Sequence, residues 1–155
     1  MSMITLVQSN RIIEAIFARG RELGCRPLSV VIVEPGAKVK AFQKEDGSAM
    51  MRFEMAFGKA YAALALGRSS SLVRVRTEER PLFMRYLIRA SDDQIFPEGG
   101  GMLIRDQDGE VIGAVGVTGD TQERDEELAA YGIRAADLKT DADCAGLGKQ
   151  VRLEN

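Results

Sequence analysis

The segment Phe96–Glu127, FPEGGGMLIRDQDGEVIGAVGVTGDTQERDEE, decides the fold. It reads as a glycine-rich entry, a hairpin, a second glycine turn and a capped helix. Met102 to Arg105 and Glu110 to Val117 are rich in Ile, Leu and Val. They flank Asp106-Gln107-Asp108-Gly109, a polar turn whose glycine takes positive φ without steric cost. Two antiparallel strands follow from this pattern. Val111, Ile112, Ala114, Val115 and Val117 form a nearly unbroken apolar run, whereas a strand buried on one face alternates. The second strand is therefore predicted to be central and covered on both sides. Gly113 and Gly116 within it mark a bulge or the close approach of another backbone or a ligand. Thr118-Gly119-Asp120 turns the chain into a helix, with Asp120 as expected N-cap and Glu123 at capping-box spacing.

Working outward, the length of 155 residues fits one domain, residues 1–155. A chain of that size buries about two thirds of its unfolded surface. Hydrophobic residues make up 45% and the net charge is −2, with no basic tract, which argues against nucleic acid as a partner. The N-terminal MSMITLVQSNRIIEAIF lacks the pattern of a signal peptide. No apolar run reaches the ~20 residues of a membrane span, so the expectation is a cytoplasmic protein with no membrane partner.

Cys25 and Cys144 lie far apart and are read as reduced thiols. The count of zero histidines removes Ser-His and Cys-His nucleophile pairs, His-ligated zinc and His-bound haem together. Any chemistry must use Lys, Arg, Tyr, Asp, Glu, Cys or backbone groups.

Thr5 is a plausible N-cap for a helix reaching Leu23, with Ile12, Ile13, Ile16 and Phe17 on its apolar side. Leu28–Glu34 and Lys38–Lys44 read as a second hairpin around Pro35-Gly36. Asp46-Gly47 ends it and Ser48 is the expected cap of a long helix, Ala49–Leu66. On that helix Met50, Phe53, Phe57, Tyr61 and Leu64 fall on one bulky face, which the spacing assigns to the core. Arg52 and Lys59, seven residues apart, project together on the opposite side among Met55, Ala56 and Ala63. That small apolar face is expected to be covered by another subunit or a ligand. The two cations either bind an anion there, such as a small carboxylate, or snorkel and pair with acids. Gly67-Arg68-Ser69-Ser70-Ser71 is read as a turn and cap, with an oxyanion site as the alternative. Arg80–Arg89 is read as a short helix opening near Pro81. After Gly132 periodicity is weak. Ala135–Leu138 is read as one helical turn, with the last residues either mobile or laid on a neighbour.

The order of elements, Gly58-Lys59-Ala60-Tyr61 on the long helix, and the run GGGMLIRDQDGEVIGAVGVTGDT together resemble the GlcG/HbpS family of haem-binding-like proteins, related to the C-terminal part of PduO-type adenosyltransferases. The residues carrying the resemblance are Gly47, Lys59, Ala60, Gly100, Gly101, Arg105, Gly109, Gly113, Ala114, Gly116, Gly119, Asp125 and Glu126. It covers nearly the whole chain. It implies an α/β (α+β) fold with a central antiparallel sheet of about five strands and helices on both faces. It also implies homo-oligomers, tetramers or octamers, and links to haem, iron sensing and the catabolism of small organic acids and aromatic compounds.

Two functions are thereby in view. The first is a binding protein for haem or a small carboxylate, with a subunit-interface pocket between Ala49–Leu66 and the Gly99–Gly101 turn. Its ligand-binding candidates are Arg52, Lys59, Gly99, Gly100, Gly101 and Arg105. No cofactor is required, and haem would need Tyr61, Met50, Met51 or Met55 in place of histidine. The second is a hydrolase, deaminase or isomerase acting on a small unsaturated acid from a ring-cleavage pathway. Its acid–base candidates are Lys59, Glu54, Tyr61 and Asp120, since a dry Lys59 beside Arg52 has a lowered pKa suited to proton transfer or imine chemistry. Carboxylates at Glu123, Asp125 and Glu126 offer a weaker iron-site reading.

Overall fold

The computed structural model describes residues 3–144. Helix α1 (Leu6–Glu22) leads into strands β1 (Ser29–Val33) and β2 (Val39–Lys44). Helices α2 (Arg52–Leu66), α3 (Ser70–Glu79) and α4 (Pro81–Ala90) follow. Strands β3 (Gly101–Arg105) and β4 (Val111–Thr118) and helix α5 (Gln122–Ala135) complete the layers. The sheet has four strands in the order β2-β1-β4-β3, all antiparallel. The expected count of about five comes down to four, and the central placing of β4 stands.

β1 and β4 are the inner strands, and their continuous apolar runs face helices on both sides. On one side Val30, Ile32, Val115 and Val117 pack with Ile12, Ile13 and Ile16 of α1 and Leu128 and Ile133 of α5. On the other, Val31, Val33 and Ala114 pack with Ala56 and Ala60 of α2. Ladder pairing passes from Ile104↔Gly113 to Arg105↔Val111, so Ile112 is the extra residue of a bulge. It joins the α1/α5 side.

Helix α1 starts where its sequence says. Thr5 Oγ1 accepts from Gln8 N and Gln8 Oε1 accepts from Thr5 N, a reciprocal capping box. At α5 the cap lies one residue later than expected. Thr121 Oγ1 accepts from Arg124 N, and Asp120 is engaged by Arg26 instead. Helix α2 begins at Arg52, after turns over the preceding residues, with no side-chain cap. Ser48 Oγ donates weakly to Leu28 O.

Two expectations about the middle of the chain are corrected. Ser70–Glu79 is a helix, not a turn leading to the next helix. The most deeply buried face of α2 is also not the expected one, although Phe53, Phe57 and Leu64 of the bulky face still pack against the edge of the core. Ala56, Lys59, Ala60 and Ala63 are its buried side, whereas Met50 is 86% exposed and Phe53, Phe57, Tyr61 and Leu64 are only partly buried. The cause lies in the strands. A Cβ on Gly116 would occupy the position of the Ala56 carbonyl oxygen, and one on Gly101 that of the Lys59 carbonyl. Helix and sheet meet backbone to backbone, and only small side chains fit between them. The small face of α2 is thus covered by this chain's own sheet. Ala56 and Ala63 are buried inside the protomer, so they are not contacts between subunits.

No helix among the described residues is long and apolar enough to cross a membrane. Ala135 is the last residue of α5, with Ala136 as its C-cap and a 3₁₀ turn at Asp141–Asp143 beyond. The reading of the final residues lies outside the described residues.

Candidate functional site

With its small side turned inward, α2 presents its bulky residues along its half-buried flank as a ladder. Phe42 of β2 meets Phe53 edge-on with centroids 4.9 Å apart, Phe53 stacks on Phe57 at 5.8 Å, and Phe57 leans on Tyr61 at 6.0 Å. Opposite stands the segment before β3. Its Phe96 Cβ lies 2.6 Å from where a Cβ on Gly58 would be, and Phe96 N donates to Gly58 O at 3.2 Å. Between ladder and segment runs an open groove of about 620 Å3, walled chiefly by Met51, Phe53, Met55, Phe57, Ile95 and Phe96. Glu54, Asp93 and Gln94 supply its polar groups.

Arg52 sits beside this groove. Its guanidinium donates to Thr118 Oγ1 at 3.3 Å and lies 3.5 Å from the Met55 sulfur, which lines the groove. Lys59, two turns further along the same flank of the helix, is only 4% exposed. Its Nζ donates to Val117 O at 2.9 Å and to Asp125 Oδ2 at 3.1 Å. Asp125 is 1% exposed and also accepts from Asp120 N at 3.1 Å. Burial pushes the Lys59 ammonium down and the Asp125 carboxyl up, while the attraction between them works against both shifts. Both cations therefore reach the same end of β4, Arg52 at Thr118 and Lys59 at Val117, yet Lys59 faces the interior.

The remaining sequence candidates scatter. Asp120 accepts from the backbone N and Nε of Arg26. Partial burial raises its pKa, but those hydrogen bonds outweigh it and leave the carboxyl below its usual range. Gly99 N donates to Gln122 Oε1, Gly101 N to Ser70 Oγ, and Gly100 O accepts from Val117 N. The glycine turn is thus occupied by helix side chains and strand backbone and does not line the groove. Arg105 lies on edge strand β3, held by Asp141 at 2.7 Å and Gly109 O at 2.8 Å. Glu54 lines the groove, and Tyr61 ends the ladder. Of the carboxylates in the iron-site reading, Asp125 turns to Lys59 and Glu126 accepts from Ser71 Oγ.

Sequence reading missed Ile95 and Phe96 as groove walls. The available signal was Gly58: a glycine inside a helix that faces another chain segment marks a close approach.

The molecule is thus an antiparallel α/β sandwich with one helix pressed onto its sheet and an aromatic groove along that helix's outer edge. Residues 4–134 match the family model described as "Haem degrading protein HbpS-like", and the chain belongs to this HbpS-like family. An uncharacterised 15.0 kDa protein from the dhaT–dhaS intergenic region of Citrobacter freundii is 28% identical over 129 residues, which span 83% of this chain and 89% of that protein. Among solved structures, Klebsiella pneumoniae protein ORFY superposes with a TM-score of 0.79 at 24% identity, covering 88% of this chain and 92% of that one. A PduOC:heme complex also gives 0.79, at 22% identity, over 89% of this chain and 98% of that one. At those identities the structural likeness carries the fold alone.

Proposed function

We propose that this protein binds a planar, largely apolar ligand carrying carboxylates, of the haem class, in the groove between the aromatic ladder and Asp93–Phe96. The observation carrying this reading is the groove itself: about 620 Å3, apolar on both walls, with three aromatic side chains in its lining. Phe53 and Phe57 offer flat faces to a ring system, and such contacts favour aromatic ligands beyond the area they bury. A similar fold appears in the PduOC:heme complex, which adds support.

The donor set fits haem in a histidine-free form. The thioethers of Met51 and Met55 line the groove and would be the residues to hold the iron, while Arg52 beside Met55 would meet a carboxylate at the rim. When bound, haem would supply redox and gas-binding chemistry at its iron. Glu54 and Asp93 repel carboxylates, so the ligand's acidic edge belongs on the Arg52 side.

Self-association and a cytosolic setting in organic-acid or aromatic catabolism belong to the same proposal. The support for self-association has moved to Met50, Leu82 and Tyr86, large apolar side chains that are 86%, 75% and 72% exposed. An enzyme for small unsaturated acids working through Lys59 gains nothing from the geometry, because Nζ is buried and already holds two acceptors.

Titration with hemin, followed in the visible range, tests the reading. We expect a saturable, sharp Soret shift, weakened by roughly tenfold or more in Phe57→Ala, equivalent to ~1.4 kcal/mol or more. Non-saturating absorbance in the wild type, or equal binding by Phe57→Ala, would reject the groove as the haem seat.

A further inference from the structure

The start of α2 lies over a sheet position that carries an unengaged polar group. Ser29, the first residue of β1, is fully buried, and its Oγ is the one buried side-chain nitrogen or oxygen among the described residues without a hydrogen-bond partner. Other buried serines are engaged: Ser70 Oγ donates to Glu98 O and accepts from Gly101 N, and Ser9 Oγ donates to Thr5 O. In the ladder Ser29 stands between Lys44 of β2 and Thr118 of β4. Val31, two residues on, packs with Ala56 and Ala60, so strand alternation puts Ser29, Lys44 and Thr118 on the α2 side as well. Ala56 meets Gly116, and Arg52, one turn earlier, meets Thr118 further along β4. The first turn of α2 therefore sits above the Ser29 and Thr118 hydroxyls.

That first turn is electropositive. Helix α2 is 15 residues long and has no side-chain cap, and the N–H groups of Phe53 and Glu54 meet no acceptor among the described residues. Arg52 donates to Thr118 Oγ1 and touches the Met55 sulfur but forms no ion pair among the described residues. Lys44 adds a second cation from the exposed end of edge strand β2. The acids next in sequence are turned elsewhere, since Glu45 Oε1 accepts from Leu28 N and Glu54 lines the groove. Free N–H groups at a helix start, a guanidinium and a hydroxyl make a donor set for a carboxylate, which accepts through both oxygens. A buried hydroxyl without a partner costs stability, and an acceptor brought by a ligand removes that cost. We propose that the start of α2 is a carboxylate seat, with one oxygen on the Arg52 guanidinium, the other on first-turn N–H groups, and the Ser29 hydroxyl donating from the sheet side. The Arg52 bond to Thr118, 3.3 Å long, is at the weak end of its kind, so the guanidinium turns from Thr118 to the anion and opens the way to Ser29. Met51 and Met55 join the seat to the aromatic groove. The remainder of the ligand follows that groove, and to that extent the seat rests on the reading proposed for it. The carboxylate is the acidic edge of a haem-class ligand or that of a small aromatic acid, and the test separates the two.

The test is calorimetric titration of the whole protein with benzoate and with benzamide, its neutral counterpart, beside the visible-range titration with hemin. We expect saturable benzoate binding, with benzamide weaker by roughly tenfold or more. Ser29→Ala should weaken benzoate by roughly tenfold or more and yet keep or raise the wild-type melting temperature, because alanine removes a buried donor that has no partner in the free protein. Arg52→Gln should weaken benzoate at least as much. Loss of benzoate binding in both variants, in a protein that does not bind hemin, would uphold the seat and reject the haem reading of the groove. Hemin weakened in both variants, without benzoate binding, would assign the seat to the haem-class ligand alone. Hemin binding unaltered in both variants, with no saturation at millimolar benzoate, would overturn the seat and leave the groove reading standing. Equal affinity for benzoate and benzamide, or benzoate affinity unaltered in Ser29→Ala, would overturn the seat as well.

Discussion

The two faces of the sheet are covered by opposite means. The α1/α5 side is filled by long branched side chains, with Ile12, Ile13, Ile16, Leu128 and Ile133 meeting Val30, Ile32, Val115 and Val117. The α2 side is closed by near-direct contact of backbones, with Ala56 and Ala60 over Ala114 and the glycines of β3 and β4. The first is a core in the usual sense, stabilised by apolar area. The second leaves no space for bulk between helix and sheet, so α2 carries its large residues on its flank, where Phe53, Phe57 and Leu64 pack only partly buried against the edge of the small-residue cluster. The groove exists because of that thin face: side chains that would have filled a conventional core are available to a ligand.

The largest effect should come from forcing bulk into the thin face. Gly116→Ala adds one methyl, but it would fall on the Ala56 carbonyl and must lift α2 from the sheet. We expect a loss of ~3 kcal/mol or more by urea denaturation, the range of severe overpacking. Ile16→Val, which removes one methylene from the thick face, should cost only ~1 kcal/mol. Similar losses for the two variants would erase the distinction between the faces.

The thin face also holds the one buried ion pair among the described residues, Lys59 with Asp125. Lys59→Met leaves Asp125 buried without its counter-charge, and breaking such a pair costs ~3–5 kcal/mol. Asp125→Asn added to Lys59→Met removes that stranded charge while keeping an acceptor for Asp120 N, so the double variant should be the more stable of the two. Acidification should narrow the gap. Burial already holds the Asp125 pKa above its ordinary value, and losing Lys59 removes the main opposing influence. A raised carboxyl gives back stability as pH falls and it takes up its proton. A double variant no better than Lys59→Met at neutral pH would show that the lysine stem, not the charge, stabilises this face.

Much of this architecture was legible, for local reasons. The Thr5 cap, the Asp106–Gly109 turn and the doubly covered β4 all follow from residues adjacent in sequence. The orientation of α2 was not legible. Hydrophobic periodicity assigns the bulkier side to the core, but here Gly101 and Gly116, far along the chain, decide which side can approach. Helix α3 was hidden because Ser69-Ser70-Ser71 has turn composition, while Val73 alone among its apolar residues is buried. In the candidate site, Arg52 and Lys59 could be placed on one flank of the helix from their spacing. Their partners could not, because Asp125 is 66 residues from Lys59 and Thr118 is 66 from Arg52. The groove's second wall, Ile95 and Phe96, belongs to an irregular segment with no periodicity to read.

The smallest expected effect lies outside both faces and measures what an ion pair contributes when water reaches it. Asp143 accepts from Arg134 Nε and Nη2 and from Thr140 N, and the Arg134 hydrogen bonds, opposed by slight burial, hold its pKa down at about 2. Its folded value lies below the ordinary 3.8. The pair therefore stabilises fully above that value, and the contribution is lost as pH falls through about 2. The side chains are 30% and 53% exposed, so solvent screening limits the gain to below ~1 kcal/mol, far from the cost expected at Lys59. Asp143→Asn removes the charge but keeps an acceptor for Thr140 N. The difference between wild type and variant in urea midpoint should therefore be small at neutral pH and vanish as pH falls toward about 2. A difference that persists unchanged across that range would assign the stabilisation to the turn's hydrogen bonds. The contrast between buried and exposed pairs would then rest on Lys59 and Asp125 alone.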